Sequence, residues 1–178
     1  SGYKMKIALH ICCGVCAAGV VERLTAEGHV VHGYFYNPNI YPEEEYHKRL
    51  SETIKVSRLM NFHLEAGPYS WQHWQKEVSS FVNEPEGGLR CEICFRIRLQ
   101  KTYQYMRDIG TDVFSTTLTV SPHKSARVIN IIGKEIGSES YLERDYKKRD
   151  GFKRAMELAR EWNLYRQRYC GCIYSMRE

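Results

Sequence analysis

The seven cysteines of this chain lie in three short clusters, an arrangement that any fold of the chain has to accommodate. The clusters are Cys12, Cys13 and Cys16, then Cys91 and Cys94, then Cys170 and Cys172. A cysteine that serves only as a small apolar side chain can occur anywhere in a core, whereas a metal or redox centre needs several sulfur ligands that converge on one point. The clustering therefore predicts a metal or redox centre.

Three kinds of site use clustered thiols. A disulfide framework is disfavoured, because seven is an odd number and the adjacent residues Cys12 and Cys13 are poor partners for a bridge. A structural zinc site and an iron–sulfur cluster both take four thiolates, which the C-x-x-C pairs Cys13/Cys16 and Cys91/Cys94 can supply. The spacing does not separate zinc from iron. The surplus thiols favour a centre that does more than stabilise the fold.

Apolar runs and helical patterns alternate along the chain. We predict strands at residues 6–11, 30–36, 62–66 and 111–117, with a short fifth strand near 140–142. We predict helices at residues 15–27, 42–60, 70–81 and 91–109, from Ser121 onward, and at 151–163. Such alternation is typical of an α/β fold, so we expect a Rossmann-like parallel sheet flanked by helices in a single domain that spans residues 1–178.

The first cysteine cluster directly follows the first predicted strand. In parallel α/β sheets the binding site lies beyond the carboxyl ends of the strands, where a glycine-rich loop often binds a nucleotide. This chain has neither G-x-G-x-x-G nor G-x-x-x-x-G-K-[ST]. We therefore predict that a metal centre takes the place of the nucleotide. The first two clusters are each expected at a helix start, which favours thiolates, and the two helix starts are expected to face each other.

The net charge of +5 is unevenly distributed. Residues 144–178 contain ten basic and five acidic side chains, while the rest of the chain is balanced. This basic C-terminal segment suggests an anionic partner such as nucleic acid, although an ordinary solvated basic helix also explains it. No apolar run approaches the roughly 18–20 residues of a membrane span, and the first residues lack an apolar signal sequence. We expect a cytoplasmic protein without a membrane partner.

Several polar side chains are candidates for substrate binding. They are Asn37 and Asn39 after the second strand, Ser115 and Thr116 at the end of the fourth, and Lys147 and Lys148 in the basic segment. The structural alternatives are loop shaping for the asparagines, helix capping for the hydroxyl groups and a solvated surface for the lysines.

Five stretches, taken together, resemble one family. They are LHICCGVC at residues 9–16, YNPNIYPEEEYHKR at 36–49, RCEICFRIRL at 90–99, FSTTLTVSPHKS at 114–125 and YRQRYCGCIYS at 165–175. The ordered set strongly resembles the epoxyqueuosine reductases of the QueH type, which do not use cobalamin, over essentially the whole chain. One departure is Gly14-Val15, where the family often has Ala-Pro; this change removes no thiol.

The resemblance implies an activity and cofactors. Such enzymes complete queuosine synthesis in tRNA by removing the epoxide oxygen of epoxyqueuosine. A [4Fe-4S] cluster with a second, adjacent iron ion is implied, and all seven cysteines are candidate metal ligands. The expected ligands of the cluster are Cys12, Cys13, Cys91 and Cys94. Cys170 and Cys172 are expected to form a catalytic redox pair or to bind the second iron, and the role of Cys16 stays open.

The resemblance also implies a HUP-like form of the Rossmann-like fold and tRNA as a partner. Anticodon loops are read through splayed bases, aromatic stacking and phosphate contacts, which Tyr165 and Arg166 can supply beside the third cysteine cluster. Reduction requires an electron donor, which the sequence does not identify. Two other functions stay open, namely a zinc-stabilised nucleic-acid-binding module and a general thiol–disulfide oxidoreductase.

Overall fold

The computed structural model describes residues 3–176, in which four parallel strands form one sheet in the order β3-β2-β1-β4. The strands are β1 (Lys6–His10), β2 (Val30–Phe35), β3 (His63–Ala66) and β4 (Val113–Thr116). Within the same residues, six α-helices flank the sheet. They are α1 (Gly14–Ala26), α2 (Glu43–Met60), α3 (Trp71–Val78), α4 (Leu89–Ile109), α5 (Ala126–Gly137) and α6 (Gly151–Glu161). The predicted α/β class and parallel sheet are confirmed.

The apolar sequence of β1 explains its central place. Ile7, Ala8 and Leu9 are fully buried. Ile7 lies opposite Val31 of β2 on one side and opposite Val113 of β4 on the other. A parallel strand that is covered on both faces has a nearly continuous apolar sequence, which is why the position of β1 is clear from the sequence.

The helices pack in two groups, α1 with α2 and α6, and α4 with α3 and α5. Gly19 allows α6 to approach α1 closely, because a Cβ atom at this position would lie 3.2 Å from the Cβ atom of Ala155. Leu24 of α1 and Leu99 of α4 are fully buried in the same apolar core as the strands. This core holds the loops at the ends of the strands in fixed positions.

The strand order reverses beside β1. The chain moves outward from β1 through β2 to β3 and then returns to the other side of β1 to form β4. The carboxyl ends of β1 and β4 therefore flank the switch point, which is where ligands bind in open parallel sheets. The first cysteine cluster follows β1 at this point.

The predicted fifth strand near residues 140–142 is wrong. Tyr141 makes one isolated parallel bridge to Phe114, and the N–H of Leu142 donates a 2.8 Å hydrogen bond to the carbonyl of Phe114. A 3-10 turn, Ser138–Ser140, comes directly before the bridge. The ring of Tyr141 occupies the space that a Cβ atom would need at Gly133, so a packed side chain fixes this contact in place of a strand.

The helix predicted from Ser121 onward begins later, at Ala126. Its N-cap is Ser125, whose Oγ accepts a hydrogen bond of 3.2 Å from the N–H of Val128. Ser121 instead closes a local turn, because its Oγ accepts a hydrogen bond of 3.2 Å from the N–H of His123. Two serines that can each cap a helix precede the apolar stripe, and the second is the one used.

The basic C-terminal segment contains a loop, α6 and an irregular tail that ends in the 3-10 turn Ile173–Ser175. Its last two residues, Arg177 and Glu178, lie outside the described residues. In residues 3–176, the helices are too short or too polar to cross a membrane.

Candidate metal centre

The first cysteine cluster lies in the turn between β1 and α1. Cys13 is the N-cap residue of α1, and its sulfur accepts a hydrogen bond of 3.5 Å from the N–H of Cys16. The N–H of Cys12 donates to Oγ1 of Thr117 at 3.1 Å, and the Cys12 sulfur lies 3.3 Å from the same oxygen. The sulfur atoms of Cys12, Cys13 and Cys16 all lie within 4.8 Å of one another, so they can share one metal centre.

These three thiols favour a single negative charge. Hydrogen bonds from Cys13 and Cys16 lower the pKa of Cys12 well below its ordinary value. The same contact with Cys12 raises the pKa of Cys13 to about 12 and also raises the pKa of Cys16. Cys12 therefore loses its proton more readily than Cys13 and Cys16 do. The thiolate is the form of cysteine that binds metals.

The second cluster lies in the first two turns of α4, as predicted. The sulfur of Cys91 accepts a hydrogen bond of 3.2 Å from the N–H of Gly87. Cys94 is buried in a small apolar cluster with Trp74 and Cys172. Burial raises the pKa of both Cys91 and Cys94, the latter to about 11. Because Cys94 and Cys172 belong to the same apolar cluster, the second and third cysteine clusters lie side by side.

The third cluster is held by hydrogen bonds to its backbone. Arg49 donates from Nη1 to the carbonyl of Cys170 at 2.9 Å and from Nη2 to the carbonyl of Tyr169 at 3.0 Å. The N–H of Tyr41 donates to the carbonyl of Gly171 at 2.8 Å. Gly171 has φ +126°, and a Cβ atom there would lie 2.9 Å from Nη1 of Arg49. Glycine is thus required both for this dihedral angle and for the close approach of the guanidinium.

All seven cysteines line one cavity of about 640 Å³, and all seven are free thiols. Two of its walls come from the starts of α1 and α4, which agrees with the expectation that the first two clusters share a site. Further lining comes from α6, from the loop at residues 121–125 and from residues 166–170. The three clusters that are far apart in sequence therefore meet around one space.

Cationic side chains stand among the thiols. Arg98 of α4 is 2% exposed and lines the cavity together with Lys124. Burial opposes the charge of Lys124, but the thiols of Cys170 and Cys12 outweigh it and raise the pKa of the ammonium group. Sequence reasoning missed both cations. The signal that was available is their position inside residues 90–99 and 114–125, two of the stretches that carry the family resemblance.

The cavity also presents buried polar atoms that lack a protein partner. Asn39 is 1% exposed, and neither its Nδ2 nor its Oδ1 is hydrogen-bonded within residues 3–176. The same holds for Nη2 of Arg98. Buried polar atoms are almost always paired, and the sulfur atoms of a thiolate-bound centre accept hydrogen bonds from N–H groups. The thiols and N–H donors together fit an iron–sulfur cluster.

The predicted substrate-binding residues do not all lie at the cavity. Asn39 and Arg166 line it. Asn37 donates from Nδ2 to the carbonyl of Ile11 at 2.8 Å. Ser115 donates to a carbonyl oxygen of the loop before α6 at 3.1 Å. The structure thus places Asn37 and Ser115 in the interior, where they join strand ends to neighbouring loops.

Thr116 also lies inside the fold, as a partner of His10. Burial, followed by the charge of Arg98, lowers the pKa of His10 to about 4, so the ring is neutral near pH 7. Its Nε2 lies 3.0 Å from the carbonyl of Tyr36, which can only accept, so Nε2 carries the proton. Nδ1 then accepts the hydroxyl hydrogen of Thr116 at 2.9 Å. This pair fixes the end of β1 directly before the cysteines.

The remaining three candidates lie outside the cavity lining. Nζ of Lys147 donates to the carbonyl of Lys124 at 3.3 Å and so holds the loop that carries Lys124. Lys148 is exposed. Tyr165 donates its hydroxyl hydrogen to the carboxylate of Glu45, with 2.9 Å to Oε2. Of these three, Lys148 is the one whose side chain is open to a partner.

Two solved structures share the fold of this chain. The U34-tRNA thiolase NcsA from Methanococcus maripaludis, solved with its [4Fe-4S] cluster, aligns with a TM-score of 0.60 at 12% identity. The alignment covers 99% of this chain and 63% of the thiolase chain. NMN synthetase from Francisella tularensis aligns with a TM-score of 0.51 at 10% identity, covering 94% of this chain and 67% of the synthetase. These likenesses establish a HUP-like α/β fold.

Sequence relatives are much closer. Proteins named epoxyqueuosine reductase QueH from Streptococcus pyogenes serotype M1 and from Thermotoga maritima are 38% and 34% identical to this chain. Each alignment covers 97% of this chain, with 71% of the streptococcal protein and 91% of the Thermotoga protein. The relative of that name from Acinetobacter baylyi is 34% identical over 97% of this chain and 81% of its own. The model of the family described as epoxyqueuosine reductase QueH matches residues 7–178, and the chain belongs to this family.

Proposed function

We propose that this protein is a tRNA-modifying oxidoreductase that reduces epoxyqueuosine to queuosine in tRNA. The observation that carries the proposal is the convergence of all seven cysteines of a QueH family member on one cavity. The family match extends over residues 7–178, so it includes all three clusters. The relatives that match nearly the full chain are named for this reduction.

The proposed reaction removes one oxygen atom. Both C–O bonds of the epoxide break, a C=C double bond forms between the two carbons, and the oxygen leaves as water. The conversion consumes two electrons and two protons. We propose a low-potential electron-donor protein as the reductant in the cell, for which dithionite substitutes in vitro.

A [4Fe-4S] cluster bound by cavity thiols is part of the proposal, together with a second iron ion close by. Such a cluster supplies one-electron transfer when bound. The family resemblance implies Cys12, Cys13, Cys91 and Cys94 as the ligands. The sulfur atoms of Cys12, Cys13 and Cys16 all lie within 4.8 Å of one another, which supports Cys16 as a further metal ligand. Seven thiols exceed the four that one cluster takes, which leaves sulfur ligands for the second iron or for a redox pair.

Residues of the chain can bind and orient an anionic substrate at this site. Lys124 presents an ammonium group to the cavity and can hold at Nζ one of the protons that the reaction consumes. Arg166 and Arg168 are exposed and belong to the lining, so they can contact phosphates. Phe152 is 40% exposed in the same lining and offers a ring for base stacking. Cations beside an exposed aromatic ring are suited to a single-stranded RNA loop.

The test is anaerobic reconstitution of the full chain with iron and sulfide, followed by reaction with tRNA from cells that accumulate epoxyqueuosine. We expect queuosine in the nucleoside digest, measured by mass spectrometry, only when the reductant is present. The zinc-loaded protein is the matched control and should yield none. A fully loaded protein that leaves epoxyqueuosine unchanged in the presence of dithionite would refute the proposed reaction.

Two further measurements separate this function from the alternatives. The double variant Cys170→Ser/Cys172→Ser should lose turnover while keeping the visible absorbance of the cluster, if this pair acts in catalysis. A colourless protein that binds zinc and tRNA would indicate a structural zinc module. Reduction of a generic disulfide without tRNA would indicate a general thiol–disulfide oxidoreductase.

A further inference from the structure

One buried guanidinium stands beside the thiols without a carboxylate to balance its charge. Arg98 is 2% exposed, and its Nε and Nη1 reach only neutral acceptors. These acceptors are the carbonyl of Cys94 and Oδ1 of Asn37, each at 3.4 Å. In the part of the chain that the structure describes, Nη2 has no hydrogen-bond partner and the guanidinium forms no ion pair with an acidic side chain.

The other buried arginines differ from Arg98. Arg49 is 1% exposed and pairs with the carboxylate of Glu45 at 3.3 Å. Arg90 is 3% exposed, and its Nη1 donates to three main-chain carbonyls, that of Glu84 being 2.6 Å away. Each of these two side chains serves to anchor a segment of backbone. Arg90 also has an Nε without a partner in the described residues, but its 2.6 Å bond to Glu84 anchors it firmly. Both hydrogen bonds of Arg98 are 3.4 Å long, so anchoring does not account for this side chain.

A charged group that is buried without a counter-charge strongly destabilises a fold. The negative charge that faces Arg98 must therefore come from the cavity. Sulfur is its source, because Arg98 lines the same cavity as all seven cysteines and its Nε lies 3.4 Å from the carbonyl oxygen of Cys94. Lys124 lines the cavity as well, so the cavity carries positive charge on more than one wall.

We propose that Arg98 is the resident counter-charge of the metal centre, balancing the negative charge of the thiolate-bound iron and donating a hydrogen bond from Nη2 to one of its sulfur atoms. This inference rests on the iron–sulfur centre of the proposed function. Net charge and hydrogen bonds to sulfur are two of the factors that set the reduction potential of such a centre. Arg98 is thus a positioning residue that makes the centre easier to reduce.

The test is a redox titration of the anaerobically reconstituted full chain, followed by electron paramagnetic resonance of the reduced cluster. Reduction adds negative charge, so removing a nearby positive charge should lower the midpoint potential. We expect Arg98→Met to have the lowest potential. Arg98→Gln, which keeps an N–H donor without the charge, should be lowered less. Arg98→Lys, which keeps the charge, should lie closest to the wild type.

The matched control is Arg96→Met on the same helix. Arg96 is half exposed and pairs with Glu135, so solvent screens its charge and the potential should not move. Wild-type potentials in all three Arg98 variants would overturn the inference. Apoproteins of all three variants that are unfolded by circular dichroism would overturn it too, because the role would then be structural.

The measurements distinguish a failure of the role of Arg98 from a failure of the proposed function. If the wild type binds iron and sulfide and reduces epoxyqueuosine while the Arg98 variants keep its potential, only the inference about Arg98 fails. If the wild type takes up no iron and sulfide, the cofactor and the role of Arg98 both fail. Loss of the cluster from Arg98→Met with retention in Arg98→Lys supports the counter-charge, since these variants differ in charge.

Discussion

Nη1 of Arg49 donates a hydrogen bond of 2.9 Å to the carbonyl oxygen of Cys170, which lies 121 residues further along the chain. Nη2 reaches the carbonyl of Tyr169 at 3.0 Å, and the guanidinium lies 5.0 Å from the centre of the Tyr169 ring. One buried side chain of α2 therefore holds the backbone that carries the third cysteine pair. The contact positions the sulfur atoms without touching them.

We expect replacement of Arg49 to release this pair. Arg49→Met removes the charge and both hydrogen bonds, and it should cost about 3 kcal/mol of unfolding free energy, as is typical when one partner of a buried ion pair is lost. Arg49→Lys keeps the charge but not the planar fork, so its cost should be intermediate. In the apoprotein, alkylation of Cys170 should be faster in both variants. Mass spectrometry can measure this rate relative to that of Cys91, and an unchanged ratio in Arg49→Met would contradict the positioning role.

Gly171 should be the least replaceable residue of the third cluster. Its φ of +126° is strained for any residue with a Cβ atom, and that atom would lie 2.9 Å from Nη1 of Arg49. Gly171→Ala should cost about 3 kcal/mol and reduce the iron retained after reconstitution. The control is Gly110→Ala, because Gly110 has φ +73° but nothing within 4 Å of the added atom. It should cost about 1 kcal/mol and retain iron. Equal losses at the two positions would show that the dihedral angle alone matters.

The sequence predicts most of the fold, because its signals are local. Residues 42–60 are predicted as a helix from Pro42 and the acidic first turn, and the observed helix is Glu43–Met60. The errors occur where tertiary contacts decide. The loop at residues 121–125 is non-helical, and the carbonyl of Lys124 in this loop accepts a hydrogen bond from Lys147. Tyr141 forms a single bridge, and its packing on Gly133 sets the position of that bridge. Neither contact can be predicted from the local sequence pattern, because each joins residues of different segments.

The candidate metal centre also combines features that local sequence predicts with features that depend on tertiary contacts. The spacing of the thiols predicts a metal or redox centre, and the position of the first cluster after a buried strand predicts its place at the carboxyl end of β1. The arrival of Cys170 and Cys172 at the same cavity depends on tertiary contacts. The groups that support them cannot be read in this way. Arg49 and Arg98 appear in the sequence as ordinary basic residues of helices, and only the folded chain reveals that both are buried. Their functions depend on contacts with segments that are distant in sequence.

Lys147 and Lys148 should behave differently when changed, although the sequence makes both of them candidates for substrate binding. Nζ of Lys147 is 3.0 Å from the carbonyl of Thr119 and 3.2 Å from the carboxylate of Asp145, so Lys147→Met should lower stability by about 1 kcal/mol. Lys148 is exposed, so Lys148→Glu should leave stability unchanged and weaken tRNA binding. The salt dependence of tRNA binding should also become flatter, by about one unit in the slope of log K against log salt concentration. Titrations at several salt concentrations measure this, and a slope equal to that of the wild type would place Lys148 outside the interface.

Low pH should weaken the ion pair between Glu27 at the end of α1 and Arg144 in the loop before α6. Glu27, at the end of α1, accepts two hydrogen bonds of 2.8 Å from Arg144, and these lower the pKa of its carboxyl group below 4.5. The unfolded chain therefore binds this proton at a higher pH than the folded chain does. The stability that the pair contributes is complete above about pH 4.5 and is lost as the pH falls through the lowered pKa.

Glu27→Gln should accordingly cost about 1 kcal/mol at neutral pH, since the pair is bidentate and about two-thirds buried. The difference in unfolding free energy between the wild type and this variant should shrink as the pH falls below about 4.5 and through the lowered pKa of Glu27. Urea denaturation of the reduced, metal-free protein at several pH values measures it. Glu143→Gln is the control, because Glu143 is half exposed and lies 3.8 Å from Lys134, so its loss should change little at any pH. A difference for Glu27→Gln that stays constant down to about pH 3 would mean that the carboxylate of Glu27 is not stabilised by Arg144.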